Sequence, residues 1–124
     1  MNKTIVVIDD DRINNFICEN LVKEYDPEMR VETFIDSEEG FKFLLKEREN
    51  IAYLLLDLNM PVYDGWSILE MLKNIEISIP TVILTSSISI DDSDKTKQYA
   101  SVAGFINKPA SLDKLRLYFE KSGI

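Results

Sequence analysis

Residues 4–11 read Thr4-Ile5-Val6-Val7-Ile8-Asp9-Asp10-Asp11. Five β-branched residues in a row leave no polar face. That pattern fits a strand covered on both sides, not one alternating between core and water. The three acids end the run abruptly. A helical pattern follows from Arg12 to Tyr25, with Ile17, Cys18, Leu21, Val22 and Tyr25 on one face. Pro27 lies just past its end. A buried strand feeding a helix is one βα unit, and the rest of the chain repeats it.

Met29 to Phe34 alternates, with Val31 and Thr33 against Arg30 and Glu32, and reads as an edge strand. Asp36 caps a second helix, and Glu39 completes a capping box. That helix carries Phe41, Leu44 and Leu45 and ends in the charged run Lys46 to Glu49. Ala52 to Leu56 is a third strand, and Asp57 to Gly65 a loop. Trp66 to Lys73 reads as a third helix, with Ile68, Leu69 and Leu72 facing inward. Pro80 opens a fourth strand, Thr81 to Leu84. The polar stretch Thr85 to Asp94 leads into a fourth helix that ends near Val102, with Asp91, Asp92 and Asp94 expected at its cap. Gly104 to Asn107 is a fifth strand. A last helix runs from Ser111 to Lys121 on Leu112, Leu115 and Phe119, and Gly123 suits its end. Strands alternating with helices imply an α/β fold, doubly wound, with a five-stranded parallel sheet and right-handed crossovers.

Composition narrows the chemistry. The chain has 124 residues, 45% of them apolar, which fits one domain over residues 1–124. It has no histidine and one cysteine. A Ser-His-Asp triad, a Cys-His pair, a histidine-ligated metal and an internal disulfide are therefore all excluded. The net charge of −8 argues against binding a nucleic-acid backbone. No apolar run is long enough to span a membrane, and Met1-Asn2-Lys3 opens no signal peptide. A cytoplasmic protein is the expectation, with no direct nucleic-acid or membrane partner.

In a doubly wound sheet, ligands bind beyond the carboxyl ends of the strands. Asp9, Asp10 and Asp11 follow the first strand, Asp57 and Asn59 the third, Thr85 and Ser86 the fourth, and Lys108-Pro109 the fifth. Carboxylates crowded at one edge repel, and a divalent cation reverses that penalty. An all-oxygen set suits Mg²⁺. A hydroxyl (Thr85) and an ammonium (Lys108) opposite would hold phosphoryl oxygens. A carboxylate so placed can act as nucleophile and form an aspartyl phosphate.

These residues resemble the receiver domain of two-component response regulators, the CheY-like family. The resemblance rests on Ile8 to Asp11, Leu55 to Pro61 with Asp64-Gly65, Leu84 to Ser86, and Lys108-Pro109, in order along the whole chain. It implies a flavodoxin-like (βα)5 sandwich with strand order 2-1-3-4-5. It implies that Asp57 accepts a phosphoryl group. Mg²⁺ would be held by Asp10 and Asp57 directly, by Asp9 more through water, and by the Asn59 backbone carbonyl. Thr85 would be the switch hydroxyl, with Lys108 as its partner at the phosphoryl group. Pro109 would follow a cis peptide. Phe105 takes the aromatic switch position, where the family more often has a tyrosine. Asn59 and Ser87 would tune hydrolysis. The implied partner is a sensor histidine kinase or a histidine phosphotransfer protein, docking near Ile13 and Phe16. The signal would leave through the fourth helix, fifth strand and fifth helix, where Lys95, Lys97, Tyr99, Lys114 and Tyr118 lie. The chain would be a monomer or a phosphorylation-dependent dimer and would turn over no external substrate. No output domain is expected on residues 1–124, so the sequence is either a stand-alone regulator, which the native-looking Met1 favours, or a receiver cut from a longer protein.

Plainer readings stand beside these. Asp11 is a helix cap, Cys18 a small core residue, and Asp64-Gly65 a turn. Trp66 packs over the loop or lies exposed, and Ile13 and Phe16 cover core edges or form a docking patch. A phosphatase that works through an aspartyl phosphate would want an acid two residues after the nucleophile, where Asn59 stands. A flavin carrier would want a Ser/Thr/Gly-rich loop where the three aspartates stand.

Overall fold

A computed structural model describes residues 3–86 and 89–124. The chain folds as β1 (Thr4–Ile8), α1 (Arg12–Tyr25), β2 (Arg30–Phe34), α2 (Ser37–Glu47), β3 (Ile51–Asp57), α3 (Gly65–Asn74), β4 (Thr81–Thr85), α4 (Ile90–Thr96), β5 (Val102–Asn107) and α5 (Leu112–Lys121). A single 3₁₀ turn, Arg48–Asn50, joins α2 to β3. The five strands pair in parallel in the order β2-β1-β3-β4-β5. The predicted α/β fold and strand order are those observed.

Strand periodicity sorts the core into two layers. Ile5, Val7, Tyr53, Leu55, Val82 and Leu84 face one side and pack with Cys18, Val22, Leu115 and Phe119 of α1 and α5. Val6, Ile8, Leu54, Leu56 and Ile83 face the other and pack with Leu44, Ile68, Leu69 and Leu72 of α2 and α3. This explains the unbroken apolar runs of β1 and β3, in which every residue is buried. The edge strand β2 has no fully buried residue, in keeping with its alternating sequence.

Caps set the helix starts. Asp11 accepts the Ile13 and Asn14 N–H groups, Asp36 those of Glu38 and Glu39, and Asp64 that of Ser67. The fourth helix departs from expectation. Its cap is Ser89, which accepts the Asp92 N–H at 3.0 Å, and Asp91 and Asp92 lie in its first turn. It ends at Thr96, and β5 begins two residues earlier than expected, at Val102. Tyr99 is therefore not on the fourth helix. It is buried in the turn that follows, and its hydroxyl donates to Glu70 at 2.7 Å. Trp66 stacks on this ring at 6.2 Å, and Lys95 of α4 lies 4.8 Å over the indole.

Cys18 is fully buried beneath β1. Burial first, and then the nearby Asp9 charge, push its thiol up to about 12. On the order of a thousandfold less thiolate than in a free cysteine is present at pH 8. Cys18 should therefore resist an aromatic disulfide reagent in the folded protein and react promptly in denaturant. Rapid native-state labelling, followed by absorbance, would contradict this placement.

Candidate functional site

The parallel register brings the strand ends level. Ile8 pairs with Leu56, Asp57 with Leu84, and Thr85 with Asn107. The residues just beyond Ile8 and Asn107, and the last residues of β3 and β4, thus share one edge of the sheet. Asp9, Asp10, Asp57, Thr85 and Lys108 meet there. The Lys108 N–H donates to the Thr85 carbonyl at 2.8 Å, which fastens the chain after β5 to the end of β4. The Lys108–Pro109 peptide is cis.

The three aspartates each direct a carboxylate oxygen into a group whose members lie within 4.8 Å of one another. Asp9 and Asp57 are buried, and Asp10 is exposed. The Lys108 ammonium lies 2.7 Å from Asp9 Oδ2 and 3.4 Å from Asp57 Oδ1. Burial, and then the Asp9 charge, push Asp57 up to about 6, while Lys108 and the Asn59 backbone N–H pull against that rise. The raised pKa of Asp57 reflects like charges held together in a poorly solvated place. Hard oxygen donors with excess negative charge fit a Mg²⁺ ion, and no nitrogen or sulfur donor is in the group. Asn59 is exposed two residues beyond Asp57. Thr85 is buried. Phe105 is half-buried against the α2–α3 layer, and the Tyr118 hydroxyl donates to its backbone carbonyl at 3.1 Å. A Cβ at Gly104 would meet the end of the Tyr118 ring, which lies across it. Ser87 lies outside the described residues.

Three supporting residues were given no role from the sequence. Asn14 donates its side-chain amide to Asp9 Oδ2 at 2.7 Å. Asn15 donates to the carbonyls of Asp9 (2.9 Å) and Phe34 (3.3 Å), joining the ends of β1 and β2. Ser37 donates to the Pro61 carbonyl at 3.0 Å and accepts the Tyr63 N–H at 3.1 Å, so α2 holds the loop after Asp57. Asn14 had a legible signal, because it stands four residues before Cys18 on the apolar stripe of the helix, where a polar amide needs a partner. Ser37 had none, since its partners lie 24 and 26 residues away in the chain. Gly65 fits closely behind Asp57, for a Cβ there would lie 2.6 Å from the Asp57 carbonyl oxygen. The plain readings of Asp11 as a cap and Cys18 as core hold, whereas Asp64, read as a turn residue, caps α3, and Gly65 is the first residue of that helix. Ile13 and Phe16 are 72% and 68% exposed, so they do not cover the core.

A sequence profile for the response regulator receiver domain matches residues 5–120. A heme response regulator, HssR of Staphylococcus aureus (strain bovine RF122 / ET3-1), is 31% identical over 118 residues, covering 93% of this chain and 48% of its own. The chain thus spans about half the length of the curated relatives it matches. Among solved structures, chemotaxis protein CheY4 of Vibrio cholerae superposes with a TM-score of 0.84 at 19% identity, covering 98% and 99% of the two chains. The bacteriophytochrome response regulator RtBRR superposes with a TM-score of 0.80 at 27% identity, covering 100% of this chain and 80% of its own.

A carboxylate whose pKa is raised on folding favours the fold below its unfolded pKa and loses that contribution as pH climbs through the folded value. For Asp57 the loss falls between about pH 4 and pH 6. In metal-free buffer at pH 8, Asp57→Asn should therefore unfold at higher temperature, by on the order of 2 kcal/mol of stability. The gain should shrink toward pH 4.5. Thermal melts of both proteins across that range check it, and a pH-independent difference would refute the electrostatic cause.

Proposed function

Because the chain belongs to the response regulator receiver family, we propose that it is a phosphorylation switch in which Asp57 accepts a phosphoryl group from a partner's phosphohistidine. The observation that carries this is the buried Asp57 carboxylate, set among two further aspartates within 4.8 Å and a lysine at 3.4 Å. An Asp57 oxygen attacks phosphorus, an O–P bond forms, and the N–P bond to the donor imidazole breaks with its electron pair staying on nitrogen. Asp9, Asp10, Asp57 and the Asn59 backbone carbonyl would hold Mg²⁺, which supplies positive charge against the transferring phosphoryl oxygens. Lys108 supplies a second positive charge on the other side, and Thr85 a hydroxyl donor. No histidine is needed on this chain, which has none.

Residues 1–124 form one receiver in this reading. The donor is a sensor histidine kinase or a histidine phosphotransfer protein, and the exposed Ile13 and Phe16 beside the site are the surface it meets. Thr85 and Phe105 then rearrange, and the face made by α4, β5 and α5 changes its affinity for a protein target or for a second copy. The chain assists its own phosphorylation and dephosphorylation in the cytoplasm and turns over no external substrate. The relatives of roughly twice its length make heme-linked signalling a property of those proteins, not an assignment to this one. Among the described residues, no helix is long and apolar enough to cross a membrane.

Incubation with MgCl₂ and acetyl phosphate should add the mass of one phosphoryl group to the intact protein. Asp57→Ala should add none, and chelation of the metal should slow the reaction by at least about tenfold. Equal labelling of Asp57→Ala would move the acceptor elsewhere, and no labelling of the parent protein would remove the switch.

A further inference from the structure

Asn14 lies in the first turn of α1 and is 4% exposed. Asp11 accepts its backbone N–H at 3.3 Å, so its position is fixed by the helix cap. Its side-chain amide reaches Asp9 Oδ2 at 2.7 Å and passes Cys18 Sγ at 3.8 Å. The Lys108 ammonium approaches the same Asp9 oxygen, also at 2.7 Å. The other oxygen, Oδ1, accepts the Asp11 N–H at 2.9 Å. A fully buried carboxylate therefore has one oxygen held by backbone and the other shared by two unlike donors. One donor is neutral and fixed to a helix. The other is charged and carried on a flexible stem.

We propose that Asn14 is a positioning residue for Asp9, holding Oδ2 toward the acid cluster while Lys108 turns from Asp9 to a phosphoryl oxygen on Asp57. This rests on the phosphoacceptor reading of Asp57. Without Asn14, release of Lys108 would leave a buried carboxylate oxygen with no side-chain donor, which is costly, so Asp9 would either retain the lysine or swing away. An asparagine suits the task because it donates one hydrogen bond without adding a positive charge that would oppose a cation. Leucine has a similar volume and no donor, and serine is too short to reach Asp9 Oδ2.

The test is Mg²⁺ binding, followed by backbone amide chemical shifts during titration with MgCl₂ alone. Asn14→Leu should weaken binding about tenfold, in the range found when a group supporting a metal ligand is removed. Asn14→Ser should lose a similar amount, and it serves if the leucine variant does not fold. Cys18→Ala, which removes the amide's other neighbour, should bind Mg²⁺ as the parent protein does. In a Lys108→Met background the effect of Asn14→Leu should grow, because the two donors share one oxygen. A merely structural asparagine would give additive changes. Mg²⁺ affinity within about twofold of the parent in both Asn14 variants would overturn the inference. A parent protein that neither binds Mg²⁺ nor accepts a phosphoryl group from acetyl phosphate would instead overturn the phosphoacceptor reading.

Discussion

The Lys108 ammonium between Asp9 and Asp57 is the interaction on which the site depends. Two buried carboxylates in one place oppose each other, and neither is well solvated. A single lysine balances one of the two charges and leaves the pair negative, with the exposed Asp10 adding to that excess. Complete neutralisation would remove the attraction for a cation, and no neutralisation would strain the fold. Lys108 stands between these limits. The Lys108 pKa is itself raised, because its bonds to Asp9 and Asp57 outweigh the effect of its own burial. The ammonium is thus kept charged where the carboxylates need it.

Such an arrangement requires four strand ends to be fixed independently of the polar groups they carry. The parallel register does this for β1, β3 and β4, with apolar residues on both faces of the central strands. The Lys108 N–H bond to the Thr85 carbonyl does it for the end of β5. Gly65 does it from behind, since a larger residue would press on the Asp57 carbonyl and the Leu58 backbone, neither of which can yield easily. The repulsion that Lys108 leaves within the site is thus borne by core packing spread over two layers.

This division explains what the sequence revealed. Strands β1 and β3 were legible because burial on both faces demands continuous apolar runs, and the residues after them were legible because charge ends such a run so sharply. Asp9, Asp10, Asp57, Thr85 and Lys108 could be placed at one edge because each stands where an apolar strand ends, and the family resemblance implied their roles. Asn15 and Ser37 could not, because each acts on a backbone group of another segment, and Asn14 showed only as a polar residue on an apolar stripe, without its partner. The fourth helix was misjudged for a related reason. Its seven residues include no buried one, so no apolar stripe marks its end. Tyr99 looked helical by spacing, yet its burial comes from packing on Trp66 and bonding to Glu70 across α3.

That weakness of pattern has an energetic meaning. The fifth helix is anchored by the fully buried Leu115 and Phe119, whereas α4 has no buried residue and, among the described residues, sets Lys95 over Trp66. An exposed cation–π contact is worth about 0.5–1 kcal/mol, far less than burial of an aromatic side chain. The segment with the fewest buried apolar contacts opens at the smallest free-energy cost. Under the proposed function this is the face that must respond to a change of one charged group at Asp57. A site-borne perturbation of a few kcal/mol can shift an element held by so little and leave the β-sheet and α5 in place. The same scarcity of anchoring that hid α4 from the sequence is what the proposed switch would use to move it.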